Sequence, residues 1–105
     1  MKKGILLHEA DDDVGVAAMD LKAGEVIQAV TLEGEPVKEI TLVTDVPLSH
    51  KVAMLDMEEK KHVIEYGAPI GYASKAIAAG AHVHTHNLKS LRWAGKNQII
   101  EHHKE

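Results

Sequence analysis

Apolar and polar residues exchange places along this chain with a period near two, in short runs separated by Gly, Pro and acidic residues. A strand turns successive side chains to opposite faces, so such a run buries one face and wets the other. The runs are KKGILLH (2–8), VGVAAM (14–19), EVIQAVTLEGEPVKEITLV (25–43), HKVAML (50–55), KHVIEYG (61–67), IGYAS (70–74) and AHVHTHN (81–87). The third is long enough for two strands and carries Glu33-Gly34-Glu35-Pro36 at its middle, which predicts a hairpin. Helical spacing extends no further than single turns around 20–23, 56–59 and 75–79. The pattern predicts a compact all-β domain of short strands with a few short helical turns.

Laid against itself, the chain contains a second pattern. Residues 16–27, 52–63 and 72–83 align without gaps, each with Ala second, an aliphatic or Met sixth and an apolar residue twelfth. The ninth position is Gly24, Lys60 and Gly80, which predicts a turn with positive φ. The copies are unevenly spaced, so they read as one corner-forming device used three times and not as a solenoid.

Composition narrows the options. A chain of 105 residues is one domain, with 45% apolar residues but no Phe, one Trp and two Tyr. The core therefore rests on Val, Ile, Leu, Ala and Met, and a partner surface is expected to complete it. A net charge of −4 without a basic run argues against nucleic acid. No apolar stretch approaches the roughly 20 residues of a membrane span. The start, MKKGILLHEADDD, has too short an apolar centre for a signal peptide. Without cysteine there is no disulfide, thiol nucleophile or thiolate ligand. The expected location is the cytoplasm.

The chemistry is carried by histidine. In an extended segment 81–87, His82, His84 and His86 would share one face, with Ala81, Val83 and Thr85 on the other. Such a row can ligate a divalent metal, contact a carboxylate, transfer protons, or simply form a wet edge. His50-Lys51, after a Pro47 loop, can present two cations to an anion or be a surface pair. His8 ends the first run beside Asp11-Asp12-Asp13, which reads as a solvated loop. His102-His103 reads as part of a tail.

Together, His8 before an acidic loop and VGVA, then HKVAML, VIEYGAPIGYA and HVHTHN, resemble the altronate/galactarate dehydratase family. The resemblance covers about Ile5 to Asn87 and is to the small subunit or N-terminal domain of that family, an SAF (antifreeze-like) domain with a β-clip fold. Asp12-Asp13 and Ser49 stand where the family often has Asp-Asn and Gly, and the acidic loop is one residue longer. Small subunits of 3-sulfolactate sulfo-lyase are also similar.

The resemblance implies a lyase component that dehydrates a sugar acid such as D-altronate or galactarate to a 2-keto-3-deoxy acid, or that releases bisulfite from sulfolactate. It implies a divalent metal, iron(II), held mainly by a larger catalytic subunit, and a chain looking like the free-standing small subunit. His84, His86 and Lys51 are then the catalytic candidates, His8, His50 and Asn87 the substrate contacts, and His82, His84 and His86 the metal ligands. Residues 1–87 form the SAF-like β-clip. The segment 88–105, with Leu88, Leu91, Trp93, Ile99 and Ile100, is expected to dock on the large subunit or on a second copy, or to pack on its own domain. A non-catalytic SAF sugar-binding module and an independent histidine-rich metal protein are the rival readings.

Overall fold

The computed structural model describes residues 1–94 and 98–101, with side chains through residue 90. The described residues form ten strands in two sheets: β1 (Ile5–Leu7), β2 (Val14–Ala17), β3 (Val26–Thr31), β4 (Pro36–Thr41), β5 (Lys51–Ala53), β6 (His62–Glu65), β7 (Ala68–Ala73), β8 (His82–Val83), β9 (Leu88–Ala94) and β10 (Gln98–Glu101). The larger sheet runs β4-β3-β1-β2-β5-β8 and the smaller β10-β9-β7-β6. All pairings are antiparallel except β1 with β3. The all-β expectation holds, and the alternating runs supply the strands.

The expected helical turns are absent among the described residues. At the sixth position of each repeat, the backbone is extended and makes an isolated antiparallel bridge: Leu21 with Val46, and Met57 with Ile77. Bridging to a distant segment satisfies both N–H and C=O, which leaves no reason for a local helical turn.

Val46 exposes a copy that the alignment did not contain. Residues 41–52 repeat the same device, with Leu42 second, Asp45 fifth, Val46 sixth, Ser49 ninth and Val52 twelfth. The four ninth positions all have positive φ: Gly24 at 91°, Ser49 at 74°, Lys60 at 77° and Gly80 at 86°. Side chains are tolerated at two of them, and the sequence signal was diluted accordingly. At Gly80 no side chain fits, because an added Cβ would collide with the carbonyl of Thr41.

The copies pair two by two, and aspartates at the fifth position stitch each pair. Asp20 Oδ1 accepts the N–H of Leu48, and Asp45 Oδ1 that of Ala23, both at 2.9 Å. Asp56 Oδ1 accepts the N–H of Ala79 at 2.8 Å, but its reciprocal is Ala76, which has no acceptor. Two apolar clusters follow this pairing. Leu21, Val46 and the inward residues of β1, β3 and β4 fill one, and Met57, Ile77 and the inward residues of β6 to β8 fill the other.

Two features place the site. The β6–β7 hairpin turns through Tyr66 (φ 58°) and Gly67 (φ 73°), two consecutive left-handed residues as a tight two-residue turn requires. Asp12 holds that turn: its carboxylate accepts the N–H groups of Tyr66 at 3.0 Å and Gly67 at 3.2 Å. Asp13 accepts from Ile64 N–H at 2.8 Å and from the Lys61 ammonium at 2.7 Å. The acidic loop is thus solvated only at Asp11; Asp12 and Asp13 are buried and tie the end of β1 to β6 and β7. Leu88–Ser90, the first residues beyond the 1–87 unit, pair with Gly71–Ala73 of β7. The side chains of Leu91, Trp93, Ile99, Ile100, His102 and His103 lie outside the described residues.

Candidate functional site

The strand expected over 81–87 stops after Val83, and residues 84–87 form a turn. Asn87 imposes it. Its Oδ1 accepts the N–H of His84 and its Nδ2 donates to the carbonyl of His82, both at 2.9 Å. The backbone N–H groups of Asn87 and Leu88 also return to the His84 carbonyl. A buried side-chain amide with these partners outcompetes continued strand pairing. The extended row of imidazoles therefore does not form.

The rings gather nevertheless. His82 and His84 are stacked with centroids 5.6 Å apart, and His86 lies 5.3 Å from His82. His50 completes the group from another direction, 4.6 Å from His84 and 5.0 Å from His82. It is brought there by the pairing of β5 with β8, in which Val52 faces His82, and by the left-handed Ser49 turn. His50 Nδ1 and His82 Nε2 share one hydrogen bond at 2.9 Å, so one of these nitrogens carries the proton and the other accepts it. Burial, then the neighbouring His50, His86 and His84, holds the His82 imidazole below its ordinary pKa and favours its neutral form.

His50 and His84 open on a cavity of about 380 Å³, lined also by Ser49, Lys51, Thr85 and Ser90. Lys51, at the start of β5, connects this cavity to a second polar centre. Its ammonium lies 3.7 Å from the carboxylate of Glu65, which is only 3% exposed, and the other Glu65 oxygen lies 3.8 Å from His8 Nε2. The His8 ring stacks on Tyr66 at 3.9 Å. Glu65 and Tyr66 were not singled out by sequence. A signal existed for Glu65: it stands two residues after the buried Val63 in an alternating strand, where its side chain falls on the inward face.

Of the residues named from sequence, the structure brings His50, His82, His84 and Lys51 to one place. His86 stands at its edge, and His8 belongs to the adjoining Glu65 centre. Asn87 spends its amide on the turn. As a donor set for a divalent ion, His50, His82 and His84 fit: each offers a nitrogen, and the three nitrogens lie within 4.8 Å of one another. Metal–nitrogen bonds of about 2.0–2.1 Å place tetrahedral ligands about 3.4 Å apart, a closure within reach of small ring rotations.

The described residues thus form a two-sheet, all-β domain with imidazoles and a paired lysine beside an open cleft, a fold consistent with an SAF-type β-clip. The chain belongs to the family described as altronate/galactarate dehydratase SAF domain, whose pattern matches residues 2–91. It is 33% identical over 94 residues to the (2R)-sulfolactate sulfo-lyase subunit alpha of Chromohalobacter salexigens, covering 89% of this chain and all of that relative. It is 44% identical over 86 residues to the altronate dehydratase of Escherichia coli and 37% over 90 residues to that of Bacillus subtilis. These matches cover 82% and 86% of this chain but only 16% and 17% of the two dehydratases. The chain is thus the SAF part of a lyase family, in relatives where it is either a whole subunit or a small fraction of a longer enzyme.

Proposed function

We propose that this domain is the small component of a lyase that removes water from a sugar acid such as D-altronate or galactarate, working with a larger catalytic component that completes its cleft. The observation that carries the reading is the convergence of His50, His84 and Lys51 on one open cavity, in a chain of this family. Dehydration of a 2,3-dihydroxy acid removes the weakly acidic C2 proton and expels a poor leaving group from C3. Lys51, its charge balanced by Glu65, meets the substrate carboxylate, and His50 and Ser49 flank it. His86, exposed at the rim beside His84, delivers the proton to the departing hydroxyl. His8 and Tyr66 bound the adjoining edge. A divalent metal such as iron(II), when bound, supplies a Lewis acid for the carboxylate and the 2-hydroxyl. The remaining groups come from the partner, because three histidines and a lysine do not make a complete elimination site. The reading places the protein in the cytoplasm, without nucleic-acid or membrane partners; no helix among the described residues is long and apolar enough to cross a membrane.

A second reading, release of bisulfite from a sulfolactate, is favoured by the full-length match to a sulfo-lyase subunit alpha. Bisulfite leaves as an anion, so this reaction requires no acid at His86. Co-expression with a candidate large component, followed by assay on altronate, galactarate and (2R)-sulfolactate, separates the readings. A 2-keto acid without bisulfite supports the hydro-lyase, bisulfite supports the sulfo-lyase, and turnover of none of them with a well-formed complex overturns both.

A further inference from the structure

We propose that this chain binds one divalent transition-metal ion by itself, through the imidazoles of His50, His82 and His84, without ligands from any other polypeptide. The three side chains come from two segments joined by the pairing of β5 with β8, and their nitrogens already lie within 4.8 Å of one another. The backbone holds them there before any ion arrives. Ser49, with a φ of 74°, turns His50 inward, and the Asn87 amide fixes both the carbonyl of His82 and the N–H of His84. Preformed ligands lose little side-chain freedom on binding. Among the described residues no carboxylate pairs with any of the three rings, and an ion bound to His50 Nδ1 and His82 Nε2 would replace the hydrogen bond that these two nitrogens share. Three neutral imidazoles suit zinc, iron, nickel or copper, and not magnesium or calcium, which take oxygen ligands.

His50 and His84 line the cavity beside Lys51, so an ion held by them would face it. A three-nitrogen site of this kind keeps a position for a further ligand. An oxygen of a small carboxylate, its remaining charge met by the Lys51 ammonium, has the chemistry for that position. The ligand set differs from the row His82, His84 and His86: it exchanges His86 for His50, and the two sets are separable by substitution.

The experiment uses the full chain in a background carrying His102→Asn and His103→Asn, titrated with Zn2+ by calorimetry and with Co2+ by visible absorption. The expected result is one equivalent per chain and a Co2+ spectrum of low coordination number. His50→Asn, His82→Asn and His84→Asn should each weaken binding by about tenfold or more, while His86→Asn changes it little. In the unsubstituted chain, Co2+ should broaden the ring signals of His50, His82 and His84 first, a readout independent of any variant's folding. Absence of stoichiometric metal, or binding that survives His50→Asn but is lost with His86→Asn, overturns the proposal. The lyase reading fails separately, by a complex without turnover whether or not the isolated chain holds metal.

Discussion

Lys60 occupies a left-handed backbone position that Gly24 and Gly80 fill without strain. A Cβ in that region costs about 1–2 kcal/mol, partly offset by the chain entropy that glycine gains on unfolding. Lys60→Gly should therefore stabilise the domain by about 0.5–1 kcal/mol in chemical denaturation, since the exposed side chain leaves no cavity. A neutral or destabilised variant would mean that the lysine contributes contacts outweighing its strain. His82 sets a pH dependence. Its folded pKa lies below the ordinary value of 6.5, because burial and the His50, His86 and His84 rings disfavour the cation. The unfolded chain then binds the proton more readily. Stability is complete above pH 6.5, falls as pH drops through 6.5 and levels off below the folded pKa. Thermal melts between pH 8 and pH 5 should follow that course, and His82→Asn should flatten it.

The corner device is the element that organises the chain. Four copies share an extended sixth residue and a left-handed ninth, and three of them contribute an aspartate that caps a backbone N–H of the opposing copy. The fourth copy has Ala76 where an acceptor would reach the N–H of Glu59. Ala76→Asp should restore the missing hydrogen bond and stabilise by about 1 kcal/mol, less whatever Glu58 and Glu59 withdraw by repulsion. An unchanged denaturation midpoint would show that the pairs are not equivalent. Three copies were legible because Ala, an apolar sixth residue and Gly recur. Copy 41–52 was not, since Leu42 and Ser49 satisfy the same backbone with different side chains. The turn at 84–87 was hidden for a related reason. Alternation of His with Ala, Val and Thr is a strand pattern, but the Asn87 amide provides local backbone partners that end the strand.

For the molecule as a whole, Glu65 is the carboxylate that joins β1, β5 and β6 at the site. It is buried, while Lys51 and His8 keep 35% and 24% of their side chains exposed. Solvent screening on that side limits the pair's worth, so Glu65→Gln should change stability by no more than about 1 kcal/mol. Catalysis by the assembled lyase should suffer more, because Lys51 loses the partner that positions it. The expected outcome is a lowered kcat/KM in a complex that still assembles, and full activity would remove Glu65 from the site. What was readable in the linear chain is what neighbours in sequence decide: alternating runs give strands, Glu33–Pro36 a hairpin turn, and recurring small residues the corners. The gathering of His50 with His82, 32 residues away, and of His8 with Glu65, depends on which strand edges meet. That choice is made by burial of two apolar clusters in a chain without Phe, and no local pattern carries it.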